Sequence, residues 1–284
     1  MQTINIFDYI KTRKAISNKG TYGKTLIIGG STNYPGSIII ASSAALKCGA
    51  GYVCICTLEE VYKVIACTNP EVIYEVLKNN SFYDEEILSR CLNYTSILFG
   101  NGMVGSNKEL ALDYLLRNYR GKLIIDAGGF DVLKAIGLDK LKESKAKVIL
   151  TPHLKEFSKL FDVDITNLYA TDLKDICKNI ASTYGVVIDL KDYKSIITDG
   201  VTSYLIDNGN AGLAKAGSGD MLAGMIASFI AYMDYPLVDV VYISHYIMNE
   251  AATLASKDIS LHSLTASDVI KEIGVVIKKY ENSI

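Results

Sequence analysis

The chain has 284 residues, 49% of them hydrophobic and 21% charged, and a formal net charge of -2 from 29 basic and 31 acidic side chains. That is apolar material for a large buried core, and the balanced charge gives no electrostatic reason to bind nucleic acid, which calls for clustered basic residues. Residues 1–10 lack a basic leader joined to a long apolar segment, and no run of 18 uncharged apolar residues follows, so a cytoplasmic protein outside the membrane is expected.

In chain order, short β-rich runs at 25–29, 52–57, 96–99, 122–126, 147–151 and 185–190 alternate with helical stretches, the first of which begins near Gly36. This alternation predicts an α/β fold with a mostly parallel central sheet and helices on both faces. Several runs end in polar or glycine-containing loops: Gly29-Gly30-Ser31-Thr32, Gly100-Asn101-Gly102, Asp126-Ala127-Gly128-Gly129 and Thr151-Pro152-His153. In open α/β sheets that carboxyl edge is where ligands bind. Two strand-like runs around Asp199-Gly200, within 195–206, predict an antiparallel hairpin. Long helical patterns follow at about 218–232, 236–256 and 265–281, the last opened by Thr265 with Asp268 at capping-box spacing. No Pro/Ser linker, repeat or low-complexity tract interrupts the chain, so a single domain over 1–284 is expected. Cys48, Cys54, Cys56, Cys67, Cys91 and Cys177 lie in apolar or helical runs without CxxC pairs, which predicts reduced thiols and no cysteine metal site.

The segment Gly217-Ser218-Gly219-Asp220 ends a glycine-rich run and leads without a break into the apolar helical stretch from Met221. A helix start of this kind turns unpaired backbone N–H groups toward an anion, and the helix dipole adds partial positive charge. Asp220 beside such a cradle can take a proton from a hydroxyl while the amides hold a transferring phosphoryl group, which points to phosphoryl transfer to an alcohol. The alternative is a plain glycine turn with Asp220 as a first-turn acid. Gly23-Lys24-Thr25 is not a P-loop, because Asn18 stands where the first glycine belongs and the segment precedes a strand. Nor is Gly217-Ser218-Gly219 a dinucleotide fingerprint, since Leu222 stands at the third glycine position.

His153, at a strand end and followed by Glu156, is a candidate ligand-binding imidazole or a helix cap. Asp126 either reaches the ligand edge or is satisfied by loop amides. Lys191, Lys194 and Ser195 either hold nucleotide phosphates or form a solvated turn. His245 and His262 lack loop context and read as packing or surface residues.

The order of these pieces resembles the NAD(P)H-hydrate dehydratase family, enzymes with a ribokinase-like three-layer fold. The match runs through residues 24–30, Tyr34-Pro35-Gly36, Gly49-Ala50-Gly51, Gly100-Asn101-Gly102, Asp126-Ala127, Thr151-Pro152-His153, Glu156 and Gly217 to Asp220, over about residues 20–280. The resemblance implies nucleotide-dependent dehydration of hydrated nicotinamide dinucleotides, NADHX and NADPHX, with ADP or ATP as phosphoryl donor and Mg²⁺ bridging nucleotide oxygens. By the same resemblance Asp220 is catalytic, and Ala41, Gly102, His153 and Asp220 contact the hydrated dinucleotide, with the small side chain of Ala41 permitting close approach. Lys191, Asp192, Tyr193, Lys194 and Ser195, with Gly217, Ser218 and Gly219, correspond to the nucleotide-binding segments. The sequence departs from the family's pattern at Asn101, commonly proline, at Asp192-Tyr193, commonly glycine-alanine, and at Lys215-Ala216, often threonine-glycine. With about twenty residues before the first matching segment, the resemblance implies no N-terminal epimerase domain, action on the S epimer, dependence on a separate epimerase, and assembly as a homotetramer. A ribokinase-like kinase for a small alcohol or vitamin precursor, of hydroxymethylpyrimidine type, uses the same glycine-rich site and is the alternative. A nucleotide-binding regulatory protein without turnover is the third reading.

Overall fold

The structure, a computed structural model, describes residues 4–165 and 170–281. Its nine strands are β1 (Lys24–Ile28), β2 (Tyr52–Leu58), β3 (Ile73–Leu77), β4 (Ser96–Phe99), β5 (Lys122–Ile125), β6 (Lys147–Leu150), β7 (Val187–Leu190), β8 (Ser195–Thr198) and β9 (Ser203–Ile206). The α-helices are α1 (Pro35–Lys47), α2 (Glu59–Ile65), α3 (Glu85–Cys91), α4 (Lys108–Asn118), α5 (Gly128–Ile136), α6 (Leu154–Phe161), α7 (Ala170–Tyr184), α8 (Ser218–Tyr232), α9 (Leu237–Ala255) and α10 (Ala266–Tyr280). The strands form one sheet in the order β3-β2-β1-β4-β5-β6-β7-β8-β9. Pairing is parallel from β3 through β7 and antiparallel for β7–β8 and β8–β9.

The apolar runs become strands buried on both faces, as a parallel sheet covered by helices requires. Leu26, Ile27 and Ile28 of β1 and Leu123, Ile124 and Ile125 of β5 are fully buried. The sheet, the hairpin at 195–206 and the last three helices agree with the sequence expectations, including the reciprocal cap between Thr265 and Asp268. Strand β3 is an addition. It lies at the edge of the sheet, its first residue Ile73 is 48% exposed, and Glu75 in its centre pairs with Arg90 at 2.9 Å, so its sequence lacks a continuous apolar signature.

Helix α8 lies across β1, β4 and β5 and packs on α1 and α9. All its residues from Met221 to Ala231 are buried. Its approach to α1 is so close that a methyl group at Gly224 would overlap the backbone carbonyl of Ala41. Close packing here fixes the position of the α8 N-terminus relative to the sheet. No helix among the described residues is long and apolar enough to cross a membrane.

Candidate active site

Adjacent strands β4, β5, β6 and β7 each deliver one polar side chain to the carboxyl edge of the sheet: Asn101, Asp126, Thr151 and Lys191. Parallel order makes this convergence unavoidable, because successive strand ends emerge on the same side. Asp126, 2% exposed, is surrounded by donors: Thr151 Oγ1 at 2.8 Å and Lys191 Nζ at 2.9 Å on Oδ1, and Asn101 Nδ2 at 2.8 Å on Oδ2. The Asn101 amide donates a second bond, at 2.6 Å, to Oδ1 of Asp220. Asp220 stands in the first turn of α8, where the cap residue Gly217 adopts φ +93°, a left-handed conformation that favours glycine. The two turns that carry Asn101 and Asp126 are also in tight contact. Gly100 has φ +121°, and a side chain there would strike the Asp126 carbonyl and the Gly129 amide. Ala127 sits at φ +48° and ψ -122°, a sparsely populated conformation for a residue with a Cβ.

These surroundings shift the ionisable groups. Burial pushes the Asp220 carboxyl above the usual range and nearby Asp126 adds to the effect, while hydrogen bonds from Asn101 and Ser37 and the charge of Lys191 oppose it. Burial likewise raises Glu156, opposed by the His153 backbone N–H and by Lys191. Burial works against the charge of Lys191, yet Asp126 and Glu156 outweigh it and hold the ammonium above its ordinary value. The surroundings thus favour the charged form of Lys191 and make the Asp220 carboxyl bind a proton more readily than a free one.

A cavity of about 630 Å³ opens beside this cluster, lined among others by His153, Lys191, Asp192, Tyr193, Ser195, Ser218, Gly219 and His245. That volume falls within the range of small-molecule sites. Lys191 Nζ lies directly over Gly219, 3.4 Å from where a Cβ would stand, so glycine keeps the helix N-terminus open next to a cation. A cation beside a helix N-terminus is an arrangement suited to an anion. Among the described residues no group of three or more His, Cys, Asp or Glu is placed to hold a metal ion.

Of the residues nominated from sequence, Lys191, Asp192, Tyr193, Ser195, Ser218, Gly219 and His153 thus share one cavity. Gly102, at φ +60°, adjoins Asn101 and packs against Tyr34 and Ser37. Lys194 is exposed and does not line the cavity. Ala41 is fully buried on α1, with its backbone against Gly224 of α8. His153 is the N-cap of α6: its Nδ1 accepts from the Glu156 N–H at 3.1 Å, and Glu156 accepts from the His153 N–H at 2.9 Å. Its ring is still half-exposed to the cavity, so capping and binding are compatible. Asp126 is satisfied by side chains and not by loop amides.

His245, expected as a packing or surface residue, is a packed one with polar partners that the sequence did not reveal. It is buried on α9, its Nδ1 lies 3.1 Å from Asp189 Oδ2, and its Nε2 lies 3.5 Å from Ser195 Oγ at the cavity wall. A polar residue in the middle of an apolar helix was the available signal, since a buried imidazole needs partners. His262 is exposed, as expected.

A protein-family model described as NAD(P)H-hydrate dehydratase matches residues 25–274. The ADP-dependent (S)-NAD(P)H-hydrate dehydratase of Staphylococcus aureus is 29% identical over 286 residues, covering 99% of this chain and 98% of that protein. The enzyme of the same name from Bacillus subtilis is 30% identical over 272 residues, covering 95% and 94%. A bifunctional NAD(P)H-hydrate repair enzyme of Pyrobaculum aerophilum is 27% identical over 281 residues, and this chain spans only 54% of its length. Among solved structures, the B. subtilis ADP/ATP-dependent NAD(P)H-hydrate dehydratase crystallised with ATP and Mg²⁺ superposes with a TM-score of 0.83 at 28% identity, covering 97% and 96% of the two chains. Hydroxyethylthiazole kinase from Pyrococcus horikoshii, at 12% identity and a TM-score of 0.64, shares the fold.

Proposed function

The chain belongs to the NAD(P)H-hydrate dehydratase family, and from that premise we propose that it restores NADH and NADPH from their S hydrates at the expense of ADP. The observation that carries this reading is the placement of Asp220 within one turn of the open N-terminus of α8, with Lys191 over Gly219 at the wall of a nucleotide-sized cavity. Asp220 takes the proton of the ring hydroxyl as its oxygen bonds to the terminal phosphorus of the nucleotide and the bond from phosphorus to the diphosphate bridge breaks. The amide of Gly219 and the Lys191 ammonium hold the charge on the transferred group. Phosphate, a far better leaving group than hydroxide, then departs with the C–O electron pair as a proton leaves the neighbouring ring carbon, and the double bond returns.

Mg²⁺ fits this site as a companion of the nucleotide. Lys191 and the N-terminus of α8 at Gly219 would hold the phosphates that it accompanies, and the ion, when bound, would neutralise phosphoryl charge. The proposal extends to a separate epimerase that supplies the S form, a cytoplasmic location and a homotetrameric assembly, all by family likeness. A ribokinase-like alcohol kinase shares the anion site, but the relatives named as dehydratases match over nearly the full chain.

The test is to incubate the protein with NADHX, ADP or ATP and Mg²⁺ and to follow the absorbance of reduced nicotinamide. Recovery of that absorbance, greater with ADP, is expected. No recovery with either nucleotide, with phosphorylation of a vitamin alcohol in its place, would overturn the reading in favour of a kinase.

A further inference from the structure

Asn101 is fully buried, and both hydrogens of its side-chain amide are committed to carboxylates on different elements, Asp126 at 2.8 Å and Asp220 at 2.6 Å. Carboxylates only accept, so the orientation of the amide is determined: the nitrogen must face the two acids, and Oδ1 is left buried with no partner. Leaving an amide oxygen unsatisfied costs free energy. The arrangement is thus organised around the acids and not around the comfort of the asparagine.

The two acids are unequal. Asp126 also has Thr151 and Lys191 and is fully committed. Asp220 has Asn101 on Oδ1 and a hydrogen bond from Ser37, with Asp126 as a repelling neighbour and Lys191 as the nearby cation; Glu156 on α6 faces Lys191 and Asp126. We propose that Asn101 is a positioning residue that ties Asp220 to Asp126 through one amide, screening their repulsion and aiming the Asp220 carboxylate at the substrate hydroxyl as an ionised base. Rested on the phosphoryl-transfer reading above, this assigns Asn101 a role in the proton-accepting step. Donation to the charged form of Asp220 opposes the upward push of burial. Without it, Asp220 should hold its proton to higher pH.

The experiment compares wild-type protein with Asn101→Leu, similar in volume and without the donor, and Asn101→Ala, a smaller second variant that also lacks it. The titration of the Asp220 carboxyl is followed by ¹³C NMR, its resonance assigned by its loss in Asp220→Asn. Both variants should titrate at higher pH than wild type, and the acidic limb of the kcat profile for NADHX dehydration should move the same way, with a greater loss of kcat at about pH 5.5 than at about pH 8.5. An unmoved Asp220 titration in a folded variant overturns the proposal. The NMR readout needs no turnover, so a wild-type protein inactive on NADHX would sink the dehydratase reading while leaving the role of Asn101 decidable.

Discussion

As the proposed base, Asp220 combines two demands that pull against each other. A base in a dry site must be ionised to work, yet burial favours its protonated form. Since its folded pKa lies above the unfolded value, the stabilisation from this group is fully present below the unfolded carboxyl pKa and is lost as pH rises through the folded one. Asparagine at this position can still accept from Asn101 and carries no charge to desolvate. Asp220→Asn is therefore expected to gain thermal stability over wild type at about pH 7.5 relative to about pH 4, measured by circular-dichroism melts. It should also lose turnover on the order of 10²- to 10⁴-fold, the usual worth of a general base, while ADP affinity by calorimetry stays near normal. Near-normal turnover would remove Asp220 from its role, and a stability difference independent of pH would contradict the burial argument.

At the scale of the element, α6 shows how one residue can cap a helix and still face a cavity. The sequence His-Leu-Lys-Glu starts a helix because the His153 ring and the Glu156 carboxylate each satisfy a backbone N–H that the helix itself leaves unpaired. The same cap fixes the ring at the rim of the cavity. His153→Ala should cost about 1 kcal/mol, a fall in Tm of roughly 2–4 °C for a domain of this size. His153→Asn keeps a capping acceptor and should melt like wild type. If the ring contacts the dinucleotide, both variants raise KM for NADHX; an unchanged KM in both would leave His153 with capping alone. Helix α8 illustrates the opposite case, an element whose position is set by packing: Gly224 against Ala41 lets two helices touch and brings Asp220 to the sheet edge.

At the scale of the whole molecule, the site exists because a parallel sheet gathers the ends of β4 to β7 on one edge and a helix from far along the chain closes over them. Asn101, Asp126, Thr151, Lys191 and Asp220 join five separate segments. A nucleotide bound there should stabilise the native state by linkage: ADP at 100 times its Kd adds about 2.7 kcal/mol. A rise in Tm with ADP is expected for wild type and for Asp220→Asn alike. In Gly219→Val, whose side chain would stand beside Lys191 in the phosphate corner, the rise should disappear; a full rise in that variant would place the phosphates elsewhere.

Much of this was legible in sequence where the signal is local. Apolar runs with fixed alternation determined the six parallel strands buried on both faces, the Asp199-Gly200 turn determined the hairpin, and Thr265 with Asp268 determined the start of the last helix. Gly217 through Asp220 likewise marked a helix start with a left-handed glycine cap, because positive φ is a property of a few consecutive residues. Tertiary structure decided the rest, for contacts that depend on distant partners leave no local trace. Only the folded chain packs the Ala41 backbone against Gly224, pairs His245 with Asp189 from 56 positions away, and commits both amide hydrogens of Asn101 to acids 25 and 119 residues distant. Buried polar groups must find partners, and which partner is within reach is a matter of how helices and strand ends pack.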